Sequence, residues 1–390
     1  MAKSKGRKPV TPLPDPKELK KCKHEGCEEY AVFFEDYCWE HLSKKAKSKY
    51  KAKIEDWVKK GRSLEGANLE EVDLSYLDLR LLNCNMKNVN LSKANLTKTL
   101  LWGANLEGAE LEGAKLIETE FCRANLKEAI LEEANLQDAN LYGANLQNAY
   151  LGDASLQNAY LMGANLRGAI FDGADLEGVW ICSAILDSST YLSWNQIRIV
   201  GTEKMNWGQA EEDYLLLKNY FHQRGRYEDE GKAYYREKLM AKHQAHEELF
   251  GKSTSKGFKR AFQNIGRFFV HNENKGVRRR WLGLWFMWAL AGFGERWIRT
   301  IFWALGTFVF FGLLHWLGTN ATWWSLVSRG GEIKHLLDCL YFSLVTFVTL
   351  GFGDIWPEAW ATKILVGVEV VLGYVFLGMI VTLIARKMGR

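Results

Sequence analysis

Residues 101–146 read LWGANLEGAELEGAKLIETEFCRANLKEAILEEANLQDANLYGANL. A large apolar side chain falls on every fifth position: Leu101, Leu106, Leu111, Leu116, Phe121, Leu126, Leu131, Leu136, Leu141 and Leu146. The series starts at Met86 and runs without a break to Ile181. Two residues before each member the side chain is small, usually Ala, as at Ala94, Ala104, Ala114, Ala124 and Ala134. A period of five fits neither the 3.6 of a helix nor the 2 of a strand. It fits a square coil in which four pentapeptides make one turn, with the large and the small residue both pointing inward. Leu64, Leu69, Leu74 and Leu79 keep the same step two residues out of phase, which predicts a slip near residues 80–84. At about 4.8 Å per turn, roughly 24 pentapeptides would stack into a rod of about 30 Å.

The unit Ala-(Asn/Asp)-Leu-x-x recurs as Ala67-Asn68-Leu69, Ala104-Asn105-Leu106, Ala144-Asn145-Leu146 and Ala164-Asn165-Leu166. It resembles the pentapeptide-repeat family, which implies a right-handed quadrilateral β-helix over residues 62–185. Such solenoids need capped ends. The Lys-rich segment 43–61 is expected at one end and the segment from Trp180 to Trp207 at the other. Residues 186–280 are read as a helical linker and a basic juxtamembrane segment. Within them, two amphipathic helices turn at Gly225-Arg226, either as a hairpin weakly resembling a tetratricopeptide repeat or as a linker packed on the solenoid end.

Charge is unevenly placed. Residues 1–61 hold 16 Lys/Arg against 10 Asp/Glu, whereas residues 62–182 hold 9 against 18. The arm over residues 1–20, read as disordered, could touch the acidic rod, anionic lipid or water alone. Residues 21–61 are expected to form a small metal module and a connecting helix. Cys22, Cys27, Cys38 and His41 stand in the spacing C-x4-C-x10-C-x2-H. Three thiolates and an imidazole suit structural, tetrahedral Zn²⁺, with His24 as a competing ligand. No nucleic-acid partner is expected. No phosphate loop, nucleophile elbow or acid/base pair is present, so the chain reads as no enzyme.

The last third differs in kind. Thr300–Gly318 and Ile364–Ala385 are apolar runs near the ~20 residues a bilayer requires, interrupted by His315 in the first and Glu369 in the second. Basic clusters precede the first and follow the second, which places both termini in the cytoplasm of a multi-pass cell-membrane protein. Residues 281–298 open with the short apolar run WLGLWFMWALAGFG. That run is expected to lie along the inner surface, with a tilted span as the alternative. Between the spans, Leu336–Val348 is too short to cross. The chain that follows, Thr349-Leu350-Gly351-Phe352-Gly353, has glycines at alternate positions. Alternation lets successive carbonyls point the same way, because glycine accepts the required φ, and non-helical backbone at membrane depth must line a water-filled path.

The sequence Thr349 to Gly353 followed by Asp354, with Ser343 and Thr346 upstream and Pro357 downstream, looks like the potassium-channel pore family over about residues 299–390. The resemblance implies a homotetramer of two-transmembrane subunits with a re-entrant pore helix. It also implies K⁺ coordination by the carbonyls of Thr349, Leu350, Gly351 and Phe352 and the Thr349 hydroxyl, with Asp354 bracing the filter. Phe352 replaces the family's Tyr and loses its phenolic hydrogen bond. Leu350 replaces Val. Gly373 occupies the place of the family's gating hinge, against which stands simple close packing of helices. Glu369 should face protein rather than lipid. The competing expectations are a membrane-anchored interaction scaffold without conduction and a non-selective cation channel. The solenoid is expected to serve as receptor for a protein or small-ligand regulator, and membrane lipids are the remaining partner.

Overall fold

The computed structural model describes residues 20–80, 84–204, 206–250, 275–319, 324–328 and 331–388. The basic arm (residues 1–19), the juxtamembrane residues 251–274 and Trp323 lie outside them. The chain divides into two compact units, Met1–Gln244 and Ala245–Arg390.

In the first unit, parallel bridges join residues twenty apart: Asn105 to Asn125, Glu110 to Ile130, Lys115 to Asn135 and Glu120 to Asn140. Four pentapeptides therefore complete one turn, as the period requires. Before the slip the bridges run Asn68 to Asn90, Asp73 to Asn95 and Asp78 to Leu100. That spacing of 22 puts two additional residues into the first turn, across the predicted slip. Corners are closed by a repeated turn. Ala104 N donates to Leu101 O at 3.1 Å, and the third residue of the turn, Gly103, has φ +67°. Positive φ at that position is what a type II turn demands. Non-glycine residues fill the same position elsewhere, among them Lys93 (φ 58°), Arg123 (φ 57°) and Glu133 (φ 57°).

The bore is filled by the series of Leu and Ala, all buried. Thr99 and Thr119 take the small inward position and donate their hydroxyls to Leu74 O (2.8 Å) and Leu96 O (2.7 Å). On one outer face, Asn85, Asn105, Asn125, Asn145 and Asn165 form a side-chain ladder. From Asn105 on, each Nδ2 donates to the Oδ1 of the Asn one turn below at 3.0–3.2 Å, and Asn85 Nδ2 donates to Glu65 Oε2 at 2.9 Å.

Both ends of the coil are covered. Helix α1 (Lys44–Lys59), N-capped by Ser43, buries Tyr50, Ile54 and Val58. The Tyr50 hydroxyl donates to Phe33 O at 2.6 Å, and Phe33 N donates to Asn68 O in the first coil at 2.7 Å. At the other end come a short α2 (Trp194–Ile197), α3 (Trp207–Gln223) and α4 (Tyr227–Phe250). Tyr214, Leu217, Tyr220 and Phe221 are buried on α3, and one hydrophobic cluster runs unbroken from Val32 through the bore to Met240. The helical hairpin thus completes the solenoid's core.

The second unit contains α5 (Lys275–Ala291), α6 (Trp297–Gly318), α7 (Leu336–Phe347) and α8 (Trp360–Met388). Within α6 and α8, Ile298–Gly318 and Trp360–Ala385 are long and apolar enough to cross a membrane. Helix α5 starts ahead of the apolar run and takes Arg278–Arg280 into the same helix. It stops where Gly292 (φ 51°), Phe293 (φ 57°) and Gly294 (φ 89°) turn the chain. A three-stranded sheet, β1 (Leu326–Ser328), β2 (Gly331–Glu332) and β3 (Ile355–Pro357), has the order β2-β1-β3, with Val327 opposite Trp356.

Candidate functional site

Helix α7 ends in a Schellman motif. Thr349 N donates to Thr346 O and Leu350 N to Val345 O, each at 3.0 Å, the paired bonds that close such a terminus around a left-handed residue. That residue is Thr349, at φ 62°. Glycine normally fills this place, and a β-branched side chain there is an outlier. The left-handed conformation recurs at Gly351 (φ 51°) and Gly353 (φ 70°). Leu350 and Phe352, between them, keep negative φ. The alternation expected from the glycine spacing is therefore present, and it extends one residue further upstream than the glycines. Leu350 and Phe352 are 60% and 65% exposed on the single chain. Asp354, just past the last glycine, faces the Tyr341 hydroxyl of α7.

Behind this segment three helices meet. Glu369 of α8 is fully buried, and so are His315 of α6 and Ser343 of α7. His315 Nε2 lies 3.2 Å from Glu369 Oε2. Ser343 Oγ lies 2.7 Å from Phe308 O and is hydrogen-bonded to Glu369 Oε1. Trp324 and Phe342 pack on the imidazole, with ring centroids 5.5 and 5.4 Å away. The carboxylate expected to face protein does so, and its partners are now named. His315 carried the missed signal: of Asp, Glu, Lys, Arg and His, the apolar runs Thr300–Gly318 and Ile364–Ala385 hold one residue each, His315 and Glu369, and two such groups in one bundle must find each other or stay uncompensated.

Gly373 sits against the end of α7. A Cβ there would lie 2.1 Å from Phe347 O, so only glycine lets α8 approach this closely. Thr346 is buried on α7, three residues before the segment turns.

The Cys/His cluster comes together in the first unit. The ligand atoms of Cys22, Cys27, Cys38 and His41 all lie within 4.8 Å of one another. Cys38 Sγ is 3.1 Å and Cys22 Sγ 3.6 Å from His41 Nδ1, and Cys27 Sγ is 3.8 Å from Cys38 Sγ. Tetrahedral coordination at Zn–S about 2.3 Å and Zn–N about 2.0 Å spaces ligand atoms by about 3.5–3.8 Å, so the four residues fit a metal ion. His24, the competing ligand, stacks on His41 with centroids 3.8 Å apart and its backbone N–H turned to Cys22 Sγ. Burial raises a thiol. At Cys22 it is outweighed by hydrogen bonds from the Cys38 and His24 backbones and from His41 and Cys27, which hold the group at about 6. A thiolate is the form that ligates.

Comparison with known proteins follows the same division. Overlapping stretches between residues 63 and 178 match pentapeptide repeats, in 8 copies. Residues 285–390 match an ion channel family. The chain is a pentapeptide-repeat solenoid joined to an ion-channel domain. Both families are non-enzymatic. Over 48 residues the chain is 52% identical to Two-pore potassium channel 4 of Arabidopsis thaliana, covering 12% of this chain and 17% of that one. Over 51 residues it is 39% identical to Potassium channel subfamily T member 1 of Homo sapiens, covering 13% and 4%. The chain thus spans less than a fifth of either relative. A solved pentapeptide repeat protein, Rfr23 from the cyanobacterium Cyanothece 51142, is 33% identical, with 32% of this chain and 88% of that one covered and a TM-score of 0.22.

Proposed function

We propose that this protein is the pore-forming subunit of a homotetrameric, potassium-selective channel of the cell membrane, with both termini in the cytoplasm. One observation carries the reading: left-handed φ at Thr349, Gly351 and Gly353. Alternating left- and right-handed residues aim successive carbonyls to one side of an extended chain. Four such strands around an axis give rings of carbonyl oxygens that replace the water shell of a dehydrated monovalent cation. Thr349, Leu350, Gly351 and Phe352 supply the carbonyls, and Thr349 adds its hydroxyl. Leu350 and Phe352, open on one chain, would be covered by neighbouring subunits. Asp354 ties the outer end of the filter to α7 through Tyr341, which compensates in part for the hydroxyl that Phe352 lacks. Ser343 and Thr346 support the filter from α7. Gly373 would act first as a packing glycine, and any hinge motion there would have to pull α8 off the Phe347 carbonyl.

Phe352 also supports a second reading, a filter with sodium leak. Reconstitution in liposomes under a potassium gradient separates the two. Potassium flux with low sodium permeability, abolished by Gly351→Asp, is the expected result. No flux from folded tetramers, or flux unchanged by that substitution, refutes the pore. The Cys22, Cys27, Cys38 and His41 cluster would hold a structural Zn²⁺. The solenoid would act as a regulatory domain for a protein or small ligand. Unaltered open probability after deletion of residues 1–200, under every condition tried, would rule that role out.

A further inference from the structure

The buried meeting point of α6, α7 and α8 carries an assignment of protons. Phe308 O only accepts, and it lies 2.7 Å from Ser343 Oγ. Ser343 has a single hydroxyl hydrogen. If that hydrogen goes to Phe308, the contact between Ser343 Oγ and Glu369 Oε1 needs its hydrogen from the carboxyl side. An ionised carboxylate has none to give. It would set oxygen lone pairs against each other between two fully buried side chains. With a proton on Oε1, every link is satisfied in one direction. His315 Nε2–H donates to Glu369 Oε2, Glu369 Oε1–H donates to Ser343 Oγ, and Ser343 Oγ–H donates to Phe308 O.

The opposite assignment, an imidazolium facing a carboxylate, fails at the far side of the ring. His315 Nδ1 is buried without a hydrogen-bond partner among the described residues. A protonated Nδ1 would be a charged donor with nothing to receive it, whereas a bare lone pair there is the cheaper defect.

We propose that Glu369 is held as a neutral carboxylic acid and is a positioning residue for the filter, a role that rests on the channel reading above. Its relay joins α8 to α7 at Ser343, six residues before Thr349, and α7 to α6 at Phe308. The pore helix is thereby fixed against both spans just ahead of the point where the filter begins.

The test uses the full-length protein in liposomes. Glu369→Gln keeps both roles, since its amide NH₂ donates to Ser343 and its carbonyl accepts from His315. It is expected to leave potassium flux and potassium-over-sodium selectivity within about twofold of wild type. Glu369→Ala and Ser343→Ala each strand buried polar atoms and are expected to lower flux or selectivity by roughly tenfold or more. Infrared difference spectra of wild type against Glu369→Gln should show a protonated carboxyl C=O band that the variant lacks. A Gln variant as damaged as Ala, or the absence of that band, overturns the proposal. Wild-type protein that shows the band yet passes no potassium keeps the proton assignment and refutes the pore.

Discussion

Substituting Gly373 by Ala places a methyl 2.1 Å from Phe347 O, 3.0 Å from its carbonyl carbon and 3.3 Å from its Cα. Backbone meets backbone here, so no side chain can swing away. The helices must part by about 1 Å or α8 must bend, and overpacking of this kind costs about 1–3 kcal/mol. That is roughly 5- to 150-fold in the equilibrium between the packed and displaced arrangements. Gly367 and Gly378 lie on the same helix with nothing within 4 Å of a built Cβ. Glycine to alanine in an open helical position is favourable by about 1 kcal/mol, which makes these two the controls. Thermal denaturation in detergent and potassium flux in liposomes should be measured for all three. Gly373→Ala should lose both stability and flux, because Phe347 is two residues from Thr349. Gly367→Ala and Gly378→Ala should match or exceed wild-type stability. If Gly373→Ala behaves like Gly378→Ala in both assays, the contact does not hold the filter's base.

Other tests address the solenoid and its caps. Chelation should remove about one metal ion per chain, counted by elemental analysis, and expose the buried Cys22 and Cys38 to thiol reagents; Cys27→Ser should bind none. Asn125→Ala breaks two rungs of the asparagine ladder, 3.0 Å each, and should cost about 1–3 kcal/mol in chemical denaturation, whereas Asn135→Ala, outside the ladder and accepting from Gln137 N within its own turn, should cost less. Glu133→Gly relieves a left-handed residue at φ 57° and should stabilise the coil by about 1 kcal/mol. Asp213 is raised from 3.8 to about 7 by burial, against the opposing hydrogen bond from Thr202 and with a further push from Glu212. Its folded-state value lies above its unfolded one, so its stabilising contribution is full below about 4 and is lost as pH rises through about 7. Asp213→Asn should flatten that decline in a series of melting temperatures.

The solenoid was legible because its signal is redundant. Twenty successive apolar positions from Met86 to Ile181 define a period that only one cross-section satisfies, and even the slip at residues 80–84 shows as a phase change. The Cys/His cluster was legible for a similar reason, since ligand chemistry restricts both residue type and spacing; only His24 and His41 competed, and it is His41 whose Nδ1 lies among the three thiols. The short sheet was not legible. Its strands have three, two and three residues, too few for alternation to register, and β1 takes one of its two partners, β3, from beyond α7. Nor could the partners of Glu369 be read. A buried pair 54 positions apart leaves no periodic trace, and the clue lay in the isolation of His315 and Glu369 in their own apolar runs.

The two units share one backbone device used at different periods. In the solenoid a left-handed residue appears every fifth position, from Lys93 and Lys98 onward, and each one turns the chain through a corner. The side chains there point to solvent, so Lys, Arg and Glu are tolerated at a strain that the corner hydrogen bonds hold in place. In the segment after α7 the left-handed residue appears every second position, Thr349, Gly351 and Gly353. Such an alternation would aim successive carbonyls to one side instead of turning a corner. A Cβ at Gly351 or Gly353 meets nothing within 4 Å on the single chain, so local crowding does not explain why glycine stands there. Left-handed φ does, and so does the neighbouring strand that four-fold assembly would bring against it. Gly351→Ala therefore discriminates between the two causes. Strain alone, about 1–2 kcal/mol, would leave assembled tetramers that conduct with altered selectivity. Crowding between subunits would instead abolish the tetramer, seen by cross-linking or native mass spectrometry before any flux is measured.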